Sequence, residues 1–119
     1  MGETVTKTLD SRRATLVSLL TFDRPIEEIR AALGQYEWDC PEPLVSLRRE
    51  HVLIILERFL SGDLAADAVE AWADLVEFRD DIEFPDDQLL DSIFVLANPA
   101  INGALDNESA RRLVSELSD

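Results

Sequence analysis

The stretch that most restricts the fold is residues 44–61. Leu44, Val45, Val52, Leu53, Ile55, Leu56, Phe59 and Leu60 gather within about 180° of a helical wheel, with Leu47 and Ile54 on the flank. A helix this apolar cannot rest on a surface with most of its circumference in water. The pattern predicts a central helix that follows Pro43, stops at Gly62 and is covered by several neighbours.

The neighbours are visible in the same spacing. Ile26, Ile29, Leu33 and Tyr36 recur at three, four and three, after an Asp23-Arg24-Pro25 start that offers a capping acid and a proline suited to a first turn. Asp63 is the expected cap of a helix over 64–79, which carries Leu64, Ala68, Trp72, Leu75 and Val76 on one side. Asp86 or Asp87 should cap a helix to Ala97 that buries Leu89, Leu90, Ile93, Phe94 and Leu96, and Asn98-Pro99 should end it. After a turn at Gly103, Asp106 should cap a last helix with Leu113, Val114 and Leu117 inward. Asp10 or Ser11 is the expected cap of a first helix, although 15–22 fits a short strand equally well. The expectation is an all-α fold: a single domain over 11–119, a compact bundle of five to six short antiparallel helices, preceded by a flexible segment over 1–10.

A length of 119 residues suits one domain with one modest core, and an apolar share of 46% is that of a folded chain. One cysteine, Cys40, permits no internal disulfide, and the longest apolar run, 52–56, is far short of a membrane span. A cytoplasmic protein with no membrane contact is expected. Twenty-five acids against 11 bases give a net charge of −14, which argues against nucleic-acid binding through a basic surface.

Few residues carry recognisable chemistry. Asp80, Asp81, Glu83, Asp86 and Asp87 could offer oxygen ligands to a cation, but neither Asp80 nor Asp81 starts a calcium loop, because the sixth positions are Pro85 and Asp86 instead of glycine. A di-iron bundle needs two Glu-x-x-His pairs, whereas the single histidine, His51, follows Arg48 by three. One Cys and one His give no zinc site, and the four scattered glycines make no phosphate loop. Cys40 has Asp39 and Glu42 beside it, and negative neighbours disfavour a reactive thiolate. His51 fits a boundary position with a local hydrogen bond. No cofactor, no metal and no enzymatic activity are expected.

Charge is where this chain departs from an ordinary helical domain. Residues 63–91 hold 11 acids and one base, Arg79, or −10 of the total; the other 90 residues carry −4. Within the 64–79 helix, Asp63, Asp67, Glu70, Asp74 and Glu77 fall within about 80° opposite the apolar side. This face is either a solubility device or a docking surface for a basic protein, and a docking surface would accelerate and select encounter. The docking residues would be Asp67, Glu70, Asp74, Glu77, Asp80 and Asp81. Trp38, in a loop two residues after Tyr36, is either an interface anchor or folded onto the core.

The run Leu56-Glu57-Arg58-Phe59-Leu60-Ser61-Gly62-Asp63-Leu64-Ala65-Ala66-Asp67, followed by Glu70 and Trp72, resembles the small acidic immunity proteins of the colicin D type. Those carry a similar helix ending in Phe-Leu-x-Gly before a short polar stretch. The resemblance spans residues 56–72 of this longer chain. It implies a compact antiparallel helical bundle and stoichiometric inhibition of a co-expressed ribonuclease toxin, and it transfers no individual toxin-contacting residue. Two other readings compete with it. One is a helical adaptor or scaffold, monomer or homodimer, that pairs through the 44–61 or 89–97 helix; the other is a cation-binding protein using the 80–87 loop.

Overall fold

The computed structural model describes residues 2–36, 40–77 and 79–118, with side chains from Leu9 onward. Among these residues the chain forms seven helices: α1 (Gly2–Thr21), α2 (Ile26–Leu33), α3 (Arg49–Leu60), α4 (Ala66–Val76), α5 (Asp87–Ala97), α6 (Pro99–Asn102) and α7 (Asn107–Ser118). Two short strands, β1 (Val45–Ser46) and β2 (Ile82–Glu83), pair in parallel, so the fold is mostly helical without being purely so. None of the described helices is long and apolar enough to cross a membrane.

Residues 15–21 are the last turns of α1, and Phe22 follows as the turn that ends it. The helix begins at Gly2 instead of at an Asp10 or Ser11 cap, so the segment expected to be flexible continues α1. Nothing between Glu3 and Thr21 is proline or glycine. Once the turns carrying Leu16 and Leu19 are docked, each further residue gains a backbone hydrogen bond without a new nucleation cost. The helix stops at Phe22, which takes φ 51°, while Phe22 N–H donates to Leu19 O and Asp23 N–H to Ser18 O. This is the six-to-one, five-to-two closure that glycine usually makes. Phenylalanine is strained there, and the surrounding contacts hold it: its ring is buried, and Arg58 lies 5.2 Å over the ring and donates to Phe22 O at 2.9 Å. At the end of α3, Gly62 makes the same closure at φ 88° with no side-chain conflict.

The 44–61 helix is shorter than its apolar pattern. Residues 44–47 are extended: Val45 lies opposite Ile82 and Ser46 opposite Glu83, Leu44 N–H donates to Asp81 O at 2.8 Å, and Leu47 N–H to Glu83 O at 2.9 Å. A short apolar run carries no period that separates strand from helix, and a distant backbone edge decides the matter. Nor is α3 the central helix. It packs mainly on α7 and leaves Ile54 half exposed, whereas α4 touches α1, α2, α3 and α5 and buries Val69, Trp72, Ala73 and Val76 completely. Trp72 fills the middle of the core and donates its indole N–H to Leu19 O at 2.6 Å, which satisfies a carbonyl near the end of α1.

The remaining helices follow their signals with local departures. Asp86 caps α5 by accepting from Leu89 N–H at 3.1 Å, and Asp106 exchanges two hydrogen bonds with Ser109 ahead of α7. Asp63 caps nothing; it accepts from Arg58 Nε at 2.6 Å, and α4 starts three residues later after Ala65. Pro25, with no side-chain cap, precedes α2. On α5, Leu89, Ile93 and Leu96 are buried while Leu90 and Phe94 remain over two-fifths exposed, and on α7 Leu117 is buried with Leu113 and Val114 half covered.

Candidate functional site

The acidic residues nominated from the helical wheel do not form one surface. Asp67, Asp74 and Asp80 are exposed, Glu70 is half-buried, and Glu77 and Asp81 are buried. Asp74 and Glu77 sit where packed surface desolvates their carboxyls, and both pKa values rise above the usual carboxylate range for that reason first. Arg30 opposes the rise at Asp74; at Glu77 a hydrogen bond from Asn98 opposes it and the Asp74 charge adds to it. The Asn98 amide, at the end of α5, also donates to Phe94 O at 2.9 Å, so one neutral donor serves a helix-terminal carbonyl and a buried carboxylate.

Asp81 belongs to the interior. Arg79 grips it with two bonds, Nε to Oδ1 at 2.9 Å and a terminal nitrogen to Oδ2 at 3.1 Å, and Arg12 Nε reaches Oδ2 at 2.9 Å. Arg12 lies 5.7 Å over the Tyr36 ring. The carboxylate is fully enclosed, its charge is met by two guanidiniums, and it offers nothing to a partner. Arg79, the lone base in the acidic stretch, makes this contact from two residues away. Trp38 lies outside the described residues.

Asp67 and Glu70 open instead onto a cleft of about 510 Å³. It is lined by the first turns of α4, the end of α5, α6 with the loop after it, and α7. Val95, Leu96, Leu105 and Leu113 give it an apolar lining; Asp67, Glu70 and Glu116 place carboxylates around it. Arg112 also borders the cleft and is engaged by Glu108 at 3.6 Å, one turn earlier on α7. Pro99 starts α6 and Gly103, at φ 94°, turns the chain out of it, and the residues around this turn line the cleft before α7 begins. The α7 residues were legible only as a helix face. That this face stands apart from α4 is a matter of three-dimensional spacing, for which the sequence holds no local signal.

Three of the five carboxylates of the 80–87 loop are engaged by the chain itself. Asp81 is taken by two arginines, Glu83 accepts from Ser46 Oγ at 2.9 Å, and Asp86 is held by Leu89 N–H and by Arg49 at 3.1 Å. Among the described residues no group of three or more His, Cys, Asp or Glu side chains is placed to hold a metal ion. His51 uses Nδ1 to accept from Arg48 N–H at 2.9 Å at the start of α3. Its pKa is lowered, chiefly by burial and further by Arg48, against a raising effect of Glu50. Cys40 Sγ donates to Glu42 O at 3.0 Å.

No protein-family model matches this chain, and no curated protein and no solved structure matches it either.

Proposed function

We propose that the chain is a non-enzymatic protein-binding domain that docks a basic partner through its exposed carboxylates, in the manner of an immunity or antitoxin-like inhibitor covering a nuclease-type toxin. One observation carries this reading. Asp67, Glu70, Asp80, Asp87 and Asp91 pair with no arginine among the described residues, so five of the 11 acids of the 63–91 stretch keep their charge available to a partner, while Asp81 is neutralised in the interior and Asp63 and Asp86 are paired. A nuclease must hold cations toward its phosphate substrate, and an acidic protein competes for those cations. Opposed fields of this kind raise association rates toward ~10⁸–10⁹ M⁻¹s⁻¹ and discriminate against wrong partners.

The test is charge reversal at exposed positions only. Asp67→Lys/Asp74→Lys/Asp80→Lys should keep the helical circular dichroism of the parent and lose capture of a basic protein that the parent retains at ~50 mM salt and releases near 300 mM. The captured protein, if a nuclease, should be inhibited at one-to-one stoichiometry. Retention by the triple variant, or no basic partner at low salt, would overturn the docking reading.

A second reading has its own observation. Leu90 and Phe94 lie one turn apart on α5 and are 44% and 42% exposed, and Ile101 on α6 is 74% exposed. Exposed apolar side chains of this sort support self-association, and the light-scattering mass of the pure chain distinguishes a homodimer from a monomer.

A further inference from the structure

We infer that the cleft between α4 and α7 receives an amphipathic helix of the partner, with arginine or lysine side chains reaching Asp67, Glu70 and Glu116 and an apolar side chain between them on Val95 and Leu113. This deepens the proposed docking function and rests on it. The chemistry of the occupant is set by the lining. About 510 Å³ is within the range of pockets that take ligands, ~300–1,000 Å³. Its apolar floor rewards a Leu-like group, and three carboxylates against one arginine, itself engaged by Glu108, favour cations around that group.

The backbone of the walls decides the shape of the occupant. The long walls are α4 and α7, helices whose interior N–H and C=O groups bond within themselves. An extended peptide laid between them would find no strand edge to pair with and would lose hydrogen bonds to water without replacement. A helix arrives with its backbone already paired and presents side chains at i, i+3 and i+4, the spacing that brings a cation, an apolar group and a second cation to one face.

The probe is a synthetic helix of alternating leucine and arginine faces, compared with the same helix carrying glutamate for arginine, titrated calorimetrically into the full chain. The arginine helix should bind and perturb the methyl resonances of Val95 and Leu113, and the glutamate helix should not bind. Ala104→Trp, at an exposed loop position on the cleft, should weaken binding about tenfold or more by occupying the space. Asp67→Asn/Glu70→Gln should weaken it comparably, whereas Glu28→Gln, exposed on α2 and away from the cleft, should leave it within about twofold. Equal binding of the two helices, or undiminished binding to Ala104→Trp, would overturn the cleft assignment. Capture of a basic protein that survives Ala104→Trp but not the triple reversal would overturn it too, and would leave the docking function standing.

Discussion

Asp81 and Asp63 show how differently two carboxylate–arginine pairs act within one acidic stretch. Asp63 meets Arg58 at 2.6 Å, but its side chain is more than half exposed, and water competes for both groups; Asp63→Asn should cost under about 1 kcal/mol. Asp81 is enclosed between Arg12 and Arg79. Removing its charge takes the carboxylate away from two guanidiniums that converge on it in the interior, so Asp81→Asn should lower the unfolding free energy by about 3–5 kcal/mol, read from urea midpoints. A loss below about 1 kcal/mol would mean that the cluster is solvated and plays no structural part. The Asp80-Asp81 pair also shows where a sequence stops informing. Both residues belong to a run that reads as a solvated loop, and one of the two partners that hold Asp81 inward is Arg12, 69 positions away. Arg79 was the available hint: one base among 11 acids needs a reason, though the sequence alone does not say which acid it serves.

At the scale of an element, the boundaries set by local bonds were legible and those set by distant contacts were not. Gly62, Asn98-Pro99, Asp86 and Asp106 act through bonds to residues within a turn, so their effect is written locally. The beginning of α3 is set elsewhere: residues 44–47 are drawn into a strand by the 81–83 backbone, and periodicity was blind to that. The same non-local logic displaced α3 from the centre in favour of α4, whose smaller apolar face is covered on more sides. The start of α3 has a titratable part. His51 accepts the Arg48 N–H on Nδ1, a bond available only to the unprotonated nitrogen. Because burial lowers its pKa in the folded state, the unfolded chain takes the proton first on acidification. The stabilising contribution is therefore present above the ordinary value of 6.5 and lost as pH falls through the lowered one. His51→Gln should retain an acceptor for Arg48 N–H and remove this dependence. The measurement is the loss of unfolding free energy between about pH 7.5 and about pH 5.5, which should be smaller in the variant than in the parent. An identical loss in both would separate His51 from the pH response.

For the molecule as a whole, −14 is a repulsive load that the fold distributes unevenly. Part is neutralised in the interior at Asp81, part lies around the α4–α7 cleft, and part is open to water. Glu77 is the residue at which self-repulsion and burial act together. Its carboxylate is buried beside Asp74, with Asn98 as its hydrogen-bond donor, and its pKa is raised. The sign follows from that direction. Well below the ordinary value of 4.5 the carboxyl is protonated in both folded and unfolded states, and its titration contributes no difference. Above the raised value the folded state holds a charge that the unfolded state holds at less cost, so stability is reduced throughout the neutral range. Glu77→Gln keeps an oxygen acceptor for Asn98 and removes both the desolvated charge and the Asp74 repulsion. The variant should have the higher urea midpoint at about pH 7, with the gap closing by about pH 3.5, where the parent's own carboxyls are largely protonated. A lower midpoint at neutral pH would show that the ionised Glu77–Asn98 bond outweighs the burial and repulsion acting against it, and that the acidic face stabilises the fold at this residue at no cost to it.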